Sequence, residues 1–241
     1  MKSNFTRLRY GFTLLETVIA IGVLAVLLTG FMVVFAPAAD GIRKSINVQQ
    51  ADRFASTLEE ELVTPRIGQS GQLDFKTGFE KSFDWIQKSN NVANALVAYQ
   101  YRGKLNGLRT DDGTPIPEPD AKGKLPGKDY IVVPIVRRTS DVKFKEDLSA
   151  VEGAVYLVKC TQLVFGTSGL TSGTAGAIRD PKPSGSPAAT ADAYPEAVIA
   201  FAAEFHMMPS RDSAYFSGSA FNTKFGNVKN PVFTRNLAVR R

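Results

Sequence analysis

Residues 12–39 constrain this chain more than any other feature: 28 positions in which Glu16 is the only charge. At about 1.5 Å per residue a helix of that length reaches roughly 42 Å, and a bilayer core needs about 20 apolar residues. The run is long enough to span a membrane with tilt, or to leave one face of it while still helical. Glu16 is the anomaly. A carboxylate in hydrocarbon costs several kcal/mol unless something pairs with it.

The flanks narrow the reading. Lys2, Arg7 and Arg9 precede the run with no acidic residue among them, as on the cytoplasmic side of a membrane segment. The formal net charge is +6, and removing these three leaves +3 on the rest. That balance, with no strip of basic and aromatic residues, does not suggest a nucleic-acid surface. A plain anchor explains the length and the basic flank but not Glu16. A secretory signal cleaved after Ala36, Pro37 and Ala38 would need an apolar region well beyond the usual 7–15 residues, with a carboxylate inside it.

A third reading uses every feature. The stretch "RYGFTLLETVIAIGVLAVLLTGF" resembles the class III leader of type IV prepilins and pseudopilins. The resemblance covers residues 1 to about 40 and, more loosely, the helix to about 63. It implies a basic leader, residues 1–11, cut by a prepilin peptidase between Gly11 and Phe12, with N-methylation of Phe12. It implies that Glu16, the fifth residue after the cut, pairs with the terminal amine of a neighbouring subunit during assembly. A carboxylate that is costly alone and cheaper when paired then favours the assembled state and helps set the register.

The long helix is expected to run from about 12 to 63, with residues 12–39 as its transmembrane and assembly half and 40–65 as an amphipathic continuation. Pro37 falls inside it, where a proline removes a hydrogen bond and kinks the helix. Ile42, Ile46, Ala51, Phe54, Ala55, Leu58 and Leu62 recur at three- to four-residue spacing, the stripe of a helix packed on a sheet. Glu59, Glu60 and Glu61, then Thr64 and Pro65, end it.

Residues 66–241 read as a globular α+β domain. Residues 130–138 are strand-like, with Pro134 marking an edge or a bulge. Residues 153–165, "GAVYLVKCTQLVF", form the clearest strand, apolar on both faces, and 230–239 a last one. Residues 92–101 and 197–208 fit either a strand or a helix. Two loops are expected. Residues 103–129 hold five glycines and four prolines, and in 166–187 Gly, Ser, Thr and Pro fill 15 of 22 positions, a composition expected to be mobile and unable to pack a core.

Little here suggests enzymatic chemistry. Cys160 is the only cysteine and His206 the only histidine. No intramolecular disulfide and no zinc site of ordinary spacing can form. A Cys–His nucleophile is conceivable, but Cys160 lies in the apolar strand, and Phe205 and Met207 flank His206. Asp111, Asp112, Glu118 and Asp120 cluster in the first loop. Some pseudopilins bind calcium, but the spacing does not fit an EF-hand and a solvated acidic loop is the expectation.

The resemblance therefore implies a pilin-like subunit and not an enzyme, with no cofactor. It would sit once through the inner membrane, with its globular part in the periplasm and then on a filament or the cell surface. Its partners would be prepilin peptidase, other pilin or pseudopilin subunits, an inner-membrane assembly platform and membrane lipid. The chain is longer than many major pilins and lacks their C-terminal disulfide loop, which leans towards a minor or specialised subunit or a type II secretion pseudopilin. A membrane-tethered periplasmic binding module that never polymerises is the alternative.

Overall fold

The computed structural model describes residues 13–65, 75–167, 169–182 and 184–241. The chain divides into two compact units, residues 1–46 and 47–241. One helix, α1 (Leu14–Val63), contributes to both and stays helical through Pro37. In the first unit every described residue is exposed.

In the second unit, α1 is followed by α2 (Gly78–Lys88), β1 (Leu96–Leu108), β2 (Pro115–Pro117), β3 (Tyr130–Arg138), α3 (Val142–Asp147), β4 (Val151–Gly166), β5 (Gly169–Ser172), β6 (Val198–Met207), α4 (Ser213–Ser217), α5 (Ser219–Asn227) and β7 (Phe233–Arg240). The seven strands make one antiparallel sheet in the order β2-β1-β4-β6-β7, with β3 beside β1 and β5 folded back on β4. The fold is α+β, the helix packing on a mainly antiparallel sheet.

Alternation along the central strands sorts the core into two layers. Leu96, Ala98, Tyr156, Val158 and Cys160 face one side, where they meet Ala51, Phe54, Leu58 and Leu62 of α1 and Phe79, Phe83 and Ile86 of α2. Val97, Tyr99, Tyr101, Val155 and Leu157 face the other, under Phe144 of α3 and Phe221 and Phe225 of α5. This is why residues 153–165 read as apolar on both faces. The expected stripe on α1 is buried only from Ala51 onward, while Ile42 and Ile46 are 63% and 55% exposed.

α1 ends against α2. Lys81 Nζ donates to Glu61 O (2.6 Å) and Thr64 O (2.9 Å), and Ser82 Oγ donates to Leu62 O (3.0 Å). Carbonyls that a helix C-terminus leaves unpaired are thus satisfied by the neighbouring helix. Gly78 allows the approach: a Cβ there would lie 2.4 Å from Val63 O.

Residues 92–101 begin as a short 3-10 turn and become β1, and 197–208 are the strand β6. Pro134 lies in β3, which pairs with β1 alone, in agreement with an edge position. Both expected loops carry more structure than composition suggested. β1 extends to Leu108 and β2 takes up residues 115–117 of the first. In the second, β5 pairs with Leu163, Val164, Phe165 and Gly166 of β4, and Ile178 is 1% exposed within the core. Gln162 Nε2 donates to Arg179 O (2.7 Å) and Arg179 N donates to Gln162 Oε1 (2.8 Å), which ties the segment to β4.

Candidate functional site

The start of α1 is built by a local exchange of hydrogen bonds. Thr13 precedes the first helical residue. Its amide donates to Glu16 Oε2 at 2.9 Å and its hydroxyl donates to the same oxygen at 3.0 Å. Glu16 N lies 3.3 Å from Thr13 Oγ1 and donates to it. This is a capping box, in which the cap residue and the third helical residue satisfy each other's free N–H groups. The run Thr-Leu-Leu-Glu carries that spacing, and the Ser/Thr-x-x-Glu pattern is the signal that reveals Thr13 as the partner of Glu16 in the cap. Glu16 therefore has a partner at the cap of its own helix, and its carboxylate already holds two donors.

Beyond the cap, α1 presents an unshielded apolar surface. Leu14, Leu15, Val18, Ile19, Leu24, Leu27, Phe31 and Val34 are all more than half exposed. Phe31 and Phe35 stack with ring centroids 3.8 Å apart. Polar groups on the run turn back on the backbone: Thr17 Oγ1 donates to Leu14 O and Thr29 Oγ1 to Ala25 O, each at 2.8 Å. α1 is the one helix among the described residues long and apolar enough to cross a membrane. Gly11 and Phe12 lie outside the described residues.

The Cys–His reading finds no geometry. Cys160 and His206 sit on neighbouring strands, but Cys160 belongs to the layer under α1 and α2, while His206 pairs with Leu157, whose side chain faces the opposite layer. Burial pushes the Cys160 thiol up to about 12, so the thiolate needed for attack is absent at neutral pH. Burial likewise lowers the His206 pKa, Glu204 opposing that shift from 3.6 Å. Neither ring nitrogen has a hydrogen-bond partner among the described residues.

The first acidic cluster is solvated only in part: Asp111 and Asp120 are exposed, as expected, whereas Asp112 and Glu118 are not. The Asp112 side chain is shielded from solvent and lies 2.9 Å from Lys143 Nζ and 3.2 Å from Arg137 Nη1. Arg137 also reaches Asp141 (3.2 Å) and, through Nε, Asp147 (2.8 Å). Asp147 further accepts from Arg109 Nη2 and from the Tyr99 hydroxyl, each at 2.8 Å. Burial alone would raise the Asp112 pKa. Hydrogen bonds from Thr114 and Lys143, with the charge of Arg137, outweigh it and hold the carboxyl well below its usual range. Glu118 is engaged elsewhere, 3.0 Å from Lys124. Asp111 and Asp112 thus share Lys143, Glu118 pairs with Lys124 and Asp120 accepts from the Lys122 amide, and no group of metal-ligating residues forms among the described residues.

Residues 6–32 match the family model described as the prokaryotic N-terminal methylation motif. No curated protein and no solved structure matches the chain. The matched residues take in Arg7 and Arg9 of the basic flank, Gly11 and Phe12, the capping box and about three quarters of the apolar run. They constitute a type IV pilin-like prepilin signal, which supports a pilin-like, prepilin-type protein and points to a structural subunit.

Proposed function

We propose that this chain is a minor or specialised pilin-like subunit. Prepilin peptidase cuts it between Gly11 and Phe12, Phe12 is N-methylated, and residues 12–39 hold it once in the inner membrane. Residues 66–241 face the periplasm and then the surface of a type IV pilus-like or secretion pseudopilus filament. The observation that carries this reading is the conjunction of the methylation motif at residues 6–32 with a helix start whose apolar side chains lie exposed among the described residues. Those side chains need lipid before assembly and neighbouring helices after it.

The same helix would serve a tethered periplasmic module that never polymerises, so processing and self-association are the deciding properties. Mass spectrometry of the native N-terminus should find methylated Phe12, and Gly11→Val should block the cut, because the peptidase needs a small residue there. A mature chain beginning at Ala39 would sink the proposal in favour of a secretory signal.

A further inference from the structure

A sheet's free edges are templates for added strands, and proteins blunt them with proline, brevity or bulges. Three of the edge elements here are blunted. β3 carries Pro134, β2 is three residues long with Pro115 and Pro117, and β5 is four residues long. β7 is different. It has eight residues, no proline, and an unbroken register with β6 from Val198↔Arg240 to Phe205↔Phe233.

The phase of that ladder is set at its end. Arg241 N donates to Ala197 O at 2.8 Å, in the same register. In an antiparallel pair every second residue faces its partner. Phe233, Arg235, Leu237 and Val239 therefore turn their N–H and C=O groups towards β6. Thr234, Asn236, Ala238 and Arg240 turn theirs outward, and all four residues are exposed. None of their N–H groups has a partner among the described residues. The result is a row of four donors and four acceptors without a partner among the described residues.

Charge selects the occupant. Residues 229–241 contain Lys229, Arg235, Arg240 and Arg241 and no acidic residue. Arg235 is partly matched by Asp52 at 3.3 Å, whereas Lys229 and Arg240 are exposed and have no ion pair among the described residues. Two β7 strands set edge to edge would bring like charges together, which disfavours self-pairing. We infer that β7 is a docking edge for an extended acidic segment of a partner protein, which adds as a further strand through backbone hydrogen bonds while its carboxylates meet Arg240 and Lys229. This inference stands apart from the filament reading.

The test uses the full chain in detergent micelles. Its probe is a blocked synthetic peptide alternating glutamate and valine, with a lysine-for-glutamate analogue as control. Hydrogen exchange should slow at the Thr234, Asn236, Ala238 and Arg240 amides on adding the glutamate peptide, and affinity should drop at least about tenfold for the lysine analogue. Ala238→Pro removes one outward N–H and no ladder hydrogen bond, so it should weaken binding by about tenfold, or ~1.4 kcal/mol, without changing the circular dichroism. Should that variant misfold, Arg240→Glu supplies the check by narrowing or reversing the preference between the two peptides. Unslowed exchange at the four amides overturns the inference, as does unchanged affinity in both variants. Concentration-dependent protection of those amides without peptide overturns it too, by assigning the edge to a second copy.

Discussion

Glu16 and Thr13 form a unit whose two halves can be separated by substitution. Thr13→Val keeps the shape but removes the hydroxyl that donates to Glu16 and accepts from its amide. Loss of such a cap costs about 1 kcal/mol of helix stability, so assembly should weaken by less than about tenfold. Glu16→Gln keeps an oxygen for the Thr13 amide and removes the charge. If assembly pairs that charge with a neighbour's amine, the loss leaves a buried amine alone, a cost on the order of 3–5 kcal/mol. Subunit addition should then weaken by roughly two to three orders of magnitude. Cross-linking of residues 12–40 between subunits, with processing followed in parallel, measures both. Equal cross-linking in Glu16→Gln with normal processing would make the carboxylate a helix cap and nothing more, and would favour the tethered module. Cys160 and His206 illustrate the opposite case. They are the sole cysteine and histidine, but alternation on neighbouring strands sends them to opposite layers.

The elements divide by how local their determinants are. α1 was legible almost to its last residue, because its end signals and its apolar spacing lie within a few turns of one another. The segment 166–187 was not, because its order comes from elsewhere. Glycine, serine and threonine give it no stripe to read, yet Gln162 of β4 grips Arg179 and the core receives Ile178. The structure therefore narrows the protease-sensitive stretch. Limited proteolysis of the native chain should cut within 169–176, where most residues are exposed, and spare 177–181. Cleavage throughout 169–187 would show that the Gln162 clasp does not hold in solution.

Over the whole molecule, the second unit should fold without the first. Residues 47–241 keep Phe54, Leu58 and Leu62, which are 1%, 0% and 0% exposed. A further cut to residues 66–241 removes those three side chains, roughly 5–9 kcal/mol of burial, against a usual net stability of about 5–15 kcal/mol. Circular dichroism should show the longer fragment folded and the shorter one unfolded. Its acid response should come in two stages. The neutral form of His206 is favoured in the folded state, so stability present above about pH 6.5 declines as pH falls through that value. Asp111 and Asp112 are held low by Lys143 and, for Asp112, by Thr114. Their contribution is present above about pH 4 and is lost as pH drops below it. A flat stability profile from pH 7 to 3 would contradict both assignments. The amino-acid sequence by itself determined the prepilin-type signal, the capped apolar helix and the α+β class, because each depends on residues adjacent in the chain or repeated at a helical or strand period. Tertiary structure alone decided the strand order, the two-layer core, the buried charge network and the open edge of β7. Those rest on pairings such as Tyr99 with Asp147 and Ser89 with Cys160, 48 and 71 positions apart, and local spacing carries no record of which distant residues will meet.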